Sequence, residues 1–265
     1  MLEVKGKNVL ITGASSGIGA AMAREFASLG ARLYLLGRNV ERLEQVAELC
    51  RADRAAGEAS SVSCYQVDME SSVSVERFVS EVEGVAFDII VLNAGISQRA
   101  LCLDTDCAVD RKLMETNFFG PVTLVKALAP VIRDRKVSIA VTTSISGLFG
   151  FPLRSAYCAS KHALFGFFES LQLENPRLRV TFLIPGRIQT PISRSAVLAD
   201  GSAYDRMDPG QANGMPVDKC ARIAVRAIRR GRRRKLIGGI ELLMVYIKKW
   251  CPALFFKLAG KVSSV

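Results

Sequence analysis

Short apolar runs alternate along this chain with longer segments in which apolar residues recur at helical spacing. Apolar runs of about four to eight residues are typical of buried strands, and the longer periodic segments are typical of amphipathic helices. The pattern predicts strands over residues 8–12, 32–36, 63–67, 88–92, 137–143 and 180–184. It predicts helices over residues 18–29, 40–52, 73–82, 111–132 and 157–173.

Several of the predicted strands are runs rich in valine, isoleucine and leucine, which indicates burial on both faces. Helices between such strands act as crossover connections and imply parallel pairing. The pattern therefore predicts an α/β fold, a doubly wound parallel sheet with helices on both faces. The 265 residues fit a single domain, 1–265. Residues 190–216 are rich in loop-forming residues, and a loop of this length in a compact domain is usually functional.

The positive charge is concentrated at the C-terminal end. The formal net charge is +11, but the 47 residues from Lys219 onward hold 13 of the 36 basic residues and one of the 25 acidic residues, Glu241. Residues 236–265 are also apolar, yet charged residues and Pro252 interrupt them before the roughly 18 uncharged residues of a membrane span are reached. Two interpretations stay open: this segment lies on a membrane surface without crossing it, or it packs on the protein.

Cysteine and histidine usage argues against a disulfide framework and against a zinc site. The chain has seven cysteines, no C-x-x-C pair, and a single histidine, His162. We therefore expect no metal, reduced thiols and a cytoplasmic location. The N-terminal residues enter a strand pattern almost at once and lack the apolar core of a signal peptide, so we expect no secretion.

A glycine-rich turn joins the first predicted strand to the first predicted helix, with the spacing G-x-x-x-G-x-G. Glycines let the backbone bend sharply and approach a pyrophosphate, and the unpaired N–H groups at the helix start point toward it. The alternative is an ordinary strand-to-helix turn. The residues predicted to bind the phosphates are Gly13, Ser15, Ser16, Gly17, Ile18 and Gly19.

Arg38 follows the second strand, where NAD-specific proteins place an acid against the ribose 2′-hydroxyl. An arginine suits the 2′-phosphate of NADP instead. The alternative is a solvated residue near the start of the next helix. Its position relative to the glycine turn favours NADP(H) as the cofactor.

Tyr157 and Lys161 are four residues apart in a segment of helical period, so both emerge from one face. A phenol has a pKa of about 10, and a nearby ammonium favours its ionised form. Ser144 comes just after a strand, at the sheet edge where ligands bind, although a lone serine there is more often a cap. Asn117 lies inside a helical segment, where asparagine is mildly unfavourable, which suggests a hydrogen-bonding role.

Together these residues resemble the short-chain dehydrogenase/reductase family over residues 5 to 190, which implies a Rossmann-type sheet. The motifs that carry the resemblance, in family order and spacing, are TGASSGIG, Asn93-Ala94-Gly95, Asn117, Ser144, Tyr157 to Lys161, and Pro185-Gly186 with Thr190. The resemblance implies that Tyr157 is the general acid/base and that Ser144 positions a substrate carbonyl. It implies that Lys161 lowers the pKa of the tyrosine and binds the nicotinamide ribose, and that Asn117 holds a water.

The resemblance also implies the remaining cofactor contacts and an oligomer, a dimer or a tetramer. Those contacts are Asp68 beside the adenine, Pro185, Gly186 and Thr190 beside the nicotinamide, and Asn93, Ala94 and Gly95, which bind the cofactor at a part not specified. The chain departs from the family at Leu92, where many members carry a second asparagine, and at Cys158, which is often serine or glycine. Ser15 and Ser16 are neutral where some NADP users carry a basic residue, so the cofactor prediction depends largely on Arg38.

The expected function is an NADP(H)-dependent oxidoreductase that transfers a hydride between nicotinamide and a carbonyl or alcohol carbon. Residues 190–216, the predicted substrate loop, contribute Ile192, Val197, Leu198, Met207 and Met215, which favours an apolar substrate. The resemblance adds lipid-like ketones, steroids, retinoids and acyl thioesters as possibilities.

The sequence is less consistent with three other functions. A catalytically idle nucleotide-binding protein would not need Ser144, Tyr157, Lys161 and Asn117 together. A nucleic-acid binder using Arg229–Lys235 would interleave aromatic residues with the charges, and a helix end with solvated arginines explains that run. A serine hydrolase would need His162, which follows Lys161 directly and faces away from it on a helix.

Overall fold

A computed structural model describes residues 1–53 and 61–260. Within these ranges a seven-stranded sheet runs through the molecule, and every neighbouring pair of strands is parallel. The strands lie in the order β3-β2-β1-β4-β5-β6-β7. They are β1 Asn8–Thr12, β2 Arg32–Gly37, β3 Val62–Gln66, β4 Ile89–Leu92, β5 Val137–Thr142, β6 Leu178–Pro185 and β7 Arg234–Ile237.

Helices cover both faces of the sheet. They are α1 Gly17–Ser28, α2 Val40–Ala52, α3 Ser72–Glu81, α4 Cys107–Met114, α5 Gly120–Ala127, α6 Ala129–Ile132, α7 Ser155–Glu174, α8 Pro209–Ala212, α9 Val217–Arg229, α10 Leu243–Trp250 and α11 Pro252–Ala259. Helices α1, α2 and α9 pack on one face, and α3, α5 and α7 pack on the other. The predicted doubly wound fold is confirmed.

The strand order reverses between β1 and β4, which are neighbours in the sheet although β2 and β3 come between them in sequence. Loops that leave the carboxyl ends of these two strands diverge to opposite faces and open a crevice. β4 is buried along its whole length, as its sequence IIVL requires. The predicted glycine turn and the Asn93-Ala94-Gly95 segment therefore meet at this edge.

The prediction of one continuous helix over residues 111–132 is wrong. A π-helical segment, Glu115–Phe119, separates α4 from α5, and a break at Leu128 separates α5 from α6. Proline has no N–H to donate to the carbonyl four residues earlier, so Pro121 and Pro130 each remove one helical hydrogen bond. The wider π turn carries Asn117 with its side chain buried.

The interpretation of Arg229–Lys235 as a helix end holds for its first residue and is wrong for its last two. Helix α9 ends at Arg229, Gly231 turns the chain with φ of +61°, and β7 begins at Arg234. Neither α9 nor β7 was assigned from the apolar pattern. Strand β7 reads RKLI, because an edge strand needs fewer apolar positions than a central one.

Candidate functional site

The glycine turn forms a cradle between β1 and α1. Gly13 and Gly17 have φ of +65° and +55°, which favours glycine over residues with a Cβ. A Cβ on Gly19 would overlap the Gly13 carbonyl oxygen and lie 2.6 Å from Asn93 Nδ2. Ser16, the N-cap residue of α1, makes no side-chain bond to the first turn. The N–H groups of that turn are therefore open to an anionic ligand.

Thr12 and Asn93 hold this cradle against the segment that follows β4. The Thr12 hydroxyl accepts hydrogen bonds from the backbone N–H groups of Asn93 at 2.9 Å and Ala94 at 3.0 Å. The Asn93 amide donates to the carbonyls of Thr12 and Gly13, each at 3.3 Å. The Asn93 side chain therefore links the glycine turn to the segment that follows β4. The sequence alone did not predict this structural role for the asparagine.

Two arginines stand at the far end of the cleft from Tyr157. Arg38 is exposed directly after β2, and Arg42, one helical turn later on α2, lines the same cleft. Asn39 caps α2 by accepting from the Arg42 N–H at 2.7 Å, which sets the direction of this first turn. Arg42 was missed from the sequence; its four-residue spacing from Arg38 was the available signal. Asp68, predicted to lie beside an adenine, lines the cleft as well.

Ser144 and Tyr157 face the cleft from β5 and α7. The Ser144 hydroxyl caps a short 3-10 turn by accepting from the Ser146 N–H at 3.2 Å, and it donates to the Pro185 carbonyl at 3.5 Å. It is thus the turn cap weighed as the alternative, and it also lines the cleft beside Tyr157.

The pKa of Tyr157 is raised, because burial disfavours the phenolate. A hydrogen bond from Ser144 and the charges of Arg154 and Arg99 act in the opposite direction. The sequence-based expectation gave the role of lowering this pKa to Lys161, whose Nζ lies 5.9 Å from the tyrosine ring centroid. Arg154 and Arg99 are the cations that act most strongly on the phenol here, and neither was predicted.

Lys161 is a buried ammonium that pairs with no carboxylate among residues 1–53 and 61–260. Its Nζ donates to the Thr142 carbonyl at 2.9 Å, and burial lowers the pKa of Lys161 to about 8. Thr142 Oγ1, in the same wall of the cleft, is buried and lacks a hydrogen-bond partner within the described chain. These two groups offer a donor and an unused hydroxyl to a polar ligand.

Asn117 lies behind the wall of the cleft that contains Ile96, and it holds that wall in place. Its Oδ1 accepts from the Ile96 N–H at 2.8 Å, and its Nδ2 donates to the Ile96 carbonyl and to Ser160 Oγ, each at 3.0 Å. This clamp explains why asparagine occupies the π segment. A bound water on Asn117 remains a prediction, for which Oδ1 keeps one free lone pair.

The structure gathers nearly all of the predicted residues around one cleft of about 600 Å³. Gly19 and Asn117 lie behind its walls, where they support Gly13 and Ile96. Those lining it are Gly13, Ser15, Ser16, Gly17, Ile18, Arg38, Asp68, Asn93, Ala94, Gly95, Ser144, Tyr157, Lys161, Pro185, Gly186 and Thr190. Lining residues that were not predicted include Arg42, Thr142, Thr143, Ile188, Arg194 and Gln211.

The cleft fits an elongated anionic dinucleotide. The glycine cradle offers N–H donors and room that a Cβ would fill, the arginines offer cations at one end, and Tyr157 and Lys161 stand at the other. In residues 1–53 and 61–260, no group of three or more His, Cys, Asp or Glu side chains is placed to hold a metal ion.

Sequence comparison relates the chain to known dehydrogenases. The sequence model described as short chain dehydrogenase matches residues 7–200. The chain is 40% identical over 264 residues to dehydrogenase/reductase SDR family member 7B of Bos taurus, an alignment that covers 96% of this chain and 81% of the bovine protein. These matches confirm the resemblance read from the motifs.

Solved structures share the fold. A short-chain dehydrogenase/reductase from Burkholderia phymatum, in complex with NAD, superposes with a TM-score of 0.82 at 22% identity and covers 96% of each chain. An alcohol dehydrogenase from Thermococcus sibiricus, complexed with 5-hydroxy-NADP, gives a TM-score of 0.74 at 25% identity, over 89% of this chain and 97% of that one. The two neighbours thus carry different nicotinamide cofactors.

Proposed function

This chain belongs to the short-chain dehydrogenase/reductase family, and we propose that it works as an NADP(H)-dependent oxidoreductase on a carbonyl or alcohol carbon of an apolar substrate. The observation that carries the proposal is the meeting of Ser144, Tyr157 and Lys161 with the glycine cradle in one cleft. A protein that only bound nucleotide would have no use for a buried phenol beside a buried ammonium.

The cradle and Arg38 would hold the phosphates, and Lys161 and Thr142 would face the nicotinamide end. When bound, the nicotinamide supplies or accepts a hydride. Ser144 Oγ donates a hydrogen bond to the substrate oxygen and so fixes its position. The Tyr157 hydroxyl gives its proton to that oxygen in the reducing direction, and the phenolate takes it back in the oxidising direction.

Apolar residues of the substrate loop favour an apolar substrate. Val197 packs against Ile96, Leu113 and Tyr157 in a buried cluster, and Ile192 lines the cleft. An NADPH-oxidation screen over apolar aldehydes, ketones and 3-oxoacyl thioesters tests this proposal, and turnover of none of them by protein that binds NADPH would contradict it.

We expect Arg38→Ala to reduce the preference for NADPH over NADH by about 10- to 100-fold. A charge-assisted hydrogen bond to the 2′-phosphate stabilises the complex by roughly 1.5 to 3 kcal/mol. Arg42 lies in the same cleft, so the double variant should lose more than Arg38→Ala alone. The measurement is the dissociation constant of each cofactor by fluorescence titration.

The matched control is Arg32→Ala, because Arg32 is exposed at the opposite end of the same strand. It should leave both dissociation constants unchanged. Equal affinity of the wild-type protein for NADPH and NADH would contradict the proposed NADP preference.

We also propose that the protein is cytoplasmic and that α10 and α11 attach it reversibly to an anionic membrane surface. One face of the pair packs on the body: Phe255 is buried against Phe149, with ring centroids 4.9 Å apart. The other face exposes Trp250 at 71% and Phe256 at 66%. The buried face supports the interpretation that this segment packs on the protein. The exposed face supports the interpretation that it lies on a membrane surface.

Basic residues border this exposed face. Lys248 Nζ lies 4.2 Å from the Phe256 ring centroid, and Lys249 Nζ lies 4.8 Å from that of Trp250. No acidic residue follows Glu241 in the sequence. Cations attract anionic headgroups by about 1 kcal/mol each, and aromatic side chains can then enter the boundary region. No helix in residues 1–53 and 61–260 has the length and apolar content to cross a bilayer.

Replacing Trp250 and Phe256 together by serine should lower partitioning onto anionic vesicles by about 10-fold or more, because each buried aromatic contributes roughly 1.5 to 3 kcal/mol. Co-sedimentation at low and high salt measures it, and salt should weaken binding of the wild-type chain. Leu103→Ser is the control, since Leu103 is 97% exposed elsewhere. Equal binding by all three proteins, or no binding at low salt, would refute the surface.

The homo-oligomer expected from the family remains a proposal. An apolar groove of about 880 Å³ runs between α5 and α7, away from the cleft, and Phe118, Val125 and Phe167 line it. We assign this groove to a second copy of the chain.

A further inference from the structure

A buried ion cluster joins the substrate loop to the body of the protein next to Tyr157. The Asp208 carboxylate, in the loop, accepts hydrogen bonds from Arg99 Nε at 3.1 Å, from Arg99 Nη2, and from Arg154 Nη2 at 3.2 Å. The side chains of Arg99 and Asp208 are 2% and 7% exposed. Charges buried to this degree persist only when they are paired, so each partner depends on the others.

The same cluster reaches the start of the helix that carries Tyr157. Arg154 directly precedes α7, and Arg99 Nη1 donates to the Gln98 carbonyl at 2.6 Å. The Gln98 side chain accepts from the N–H groups of Ala156 at 3.0 Å and Tyr157 at 3.4 Å. Three parts of the chain therefore meet here: the segment after β4, the first turn of α7, and the substrate loop.

The cluster is not electrically balanced. Among the residues that the structure describes, two guanidinium groups face one carboxylate, which leaves one net positive charge. Arg154 Nε is buried and lacks a hydrogen-bond partner among the described residues, so Asp208 satisfies Arg154 only in part. Burial, followed by the charge of Arg99, lowers the pKa of Arg154, yet a guanidinium stays protonated at any working pH.

We propose that Arg154 and Asp208 are positioning residues for proton transfer: they lock the substrate loop onto the start of α7 and set the charge beside the Tyr157 phenol. The inference rests on the proposed function, because it concerns the proton that Tyr157 exchanges. It also gives the loop a second role, since Asp208 pairs with Arg99 and Arg154, the cations that act on the phenol, only when the loop is in place.

The charged and titratable groups around Tyr157 come from each element packed on it. Its own helix provides Lys161 and Cys158, and burial raises the pKa of Cys158, which keeps that thiol neutral. The substrate loop provides Asp208 and also Asp205, which lines the cleft. Helix α4 contributes apolar side chains to the cluster around the phenol. Arg99 and Arg154 complete the set.

The direction of each effect follows from charge. Removing the Arg154 cation disfavours the phenolate, so Arg154→Gln should raise the pKa of Tyr157, by roughly one unit, the order of magnitude for a neighbouring unit charge in a protein interior. Removing the Asp208 anion leaves two cations uncompensated, so Asp208→Asn should lower that pKa. Arg154→Lys keeps the charge and should stay within a few tenths of a unit of the wild type.

The experiment is a pH titration of tyrosinate by ultraviolet difference absorbance, with Tyr157→Phe as the subtraction control. It is run on the full chain with and without NADP⁺, so it needs neither a substrate nor turnover. Loss of turnover in every assay would therefore overturn the proposed function and leave this titration interpretable. The thermal midpoint of each variant is measured in parallel.

Opposite shifts for Arg154→Gln and Asp208→Asn, with Arg154→Lys near the wild type, would support the proposal. If the cluster only held the loop, the pKa of Tyr157 would shift in the same direction in both variants, or in neither. That result would overturn the proposal. If Asp208→Asn does not fold, the comparison of Arg154→Gln with Arg154→Lys tests the proposal. Equal pKa values of Tyr157 in these two variants would overturn the electrostatic role, and a difference of about one unit would support it.

Discussion

Tyr157→Phe should lower kcat by about 100-fold or more while NADPH still binds. Phenylalanine keeps the ring and its packing against Ile96 and Leu113, so the change removes the hydroxyl and little else. Proton transfer by a positioned side chain contributes typically 10²- to 10⁴-fold to rate. The measurements are steady-state kinetics on a substrate found by the screen, and NADPH binding by fluorescence.

Tyr65→Phe is the control for this change, because Tyr65 lies on β3 and is not part of the cleft. It should leave kcat unchanged. Turnover by Tyr157→Phe within a few-fold of the wild type would show that another group transfers the proton, and the mechanism would have to be reassigned.

The parts of the site that were predictable are those encoded by neighbouring residues. The glycine turn needs positive φ at Gly13 and Gly17, and a strand before it and a helix after it indicate where it lies. The four-residue spacing of Tyr157 and Lys161 places both on one helix face whatever surrounds them. Short apolar runs likewise identified six strands of the sheet, most clearly β4, whose four residues are all buried.

Arg42 was missed despite a local signal, but several other missed parts depend on residues distant in sequence. Arg99 and Asp208 are 109 positions apart, and no local pattern couples them. The contact of Asn117 with the backbone of Ile96, 21 positions away, appears only once the π segment and the stretch after β4 lie side by side. Edge strand β7 was missed because its two exposed basic residues resemble a charged helix end.

Burial of Lys161 has a consequence for stability as well as for turnover. Since burial lowers its pKa from 10.5 to about 8, folding at neutral pH forces an ammonium into a site that disfavours it. The pKa difference corresponds to a cost of roughly 3 kcal/mol in the free energy of folding, and the hydrogen bond to the Thr142 carbonyl offsets part of it. A cofactor that hydrogen-bonds this ammonium would recover some of that free energy, so the cost belongs to the unliganded protein.

Lys161→Met should therefore abolish turnover yet raise the free energy of unfolding of the unliganded protein by about 2 kcal/mol near neutral pH. Below pH of about 8 both folded and unfolded wild-type chains hold the proton, and the full cost is present. Between that value and 10.5 the unfolded chain binds more protons than the folded one, so wild-type stability rises with pH and the advantage of the variant shrinks. Urea denaturation of both proteins across this window measures the effect, with Lys136→Met as the control because Lys136 is exposed. A variant that is less stable than the wild type near neutral pH, or an advantage that does not change with pH, would show that Lys161 contributes more through its contacts than burial of its charge costs.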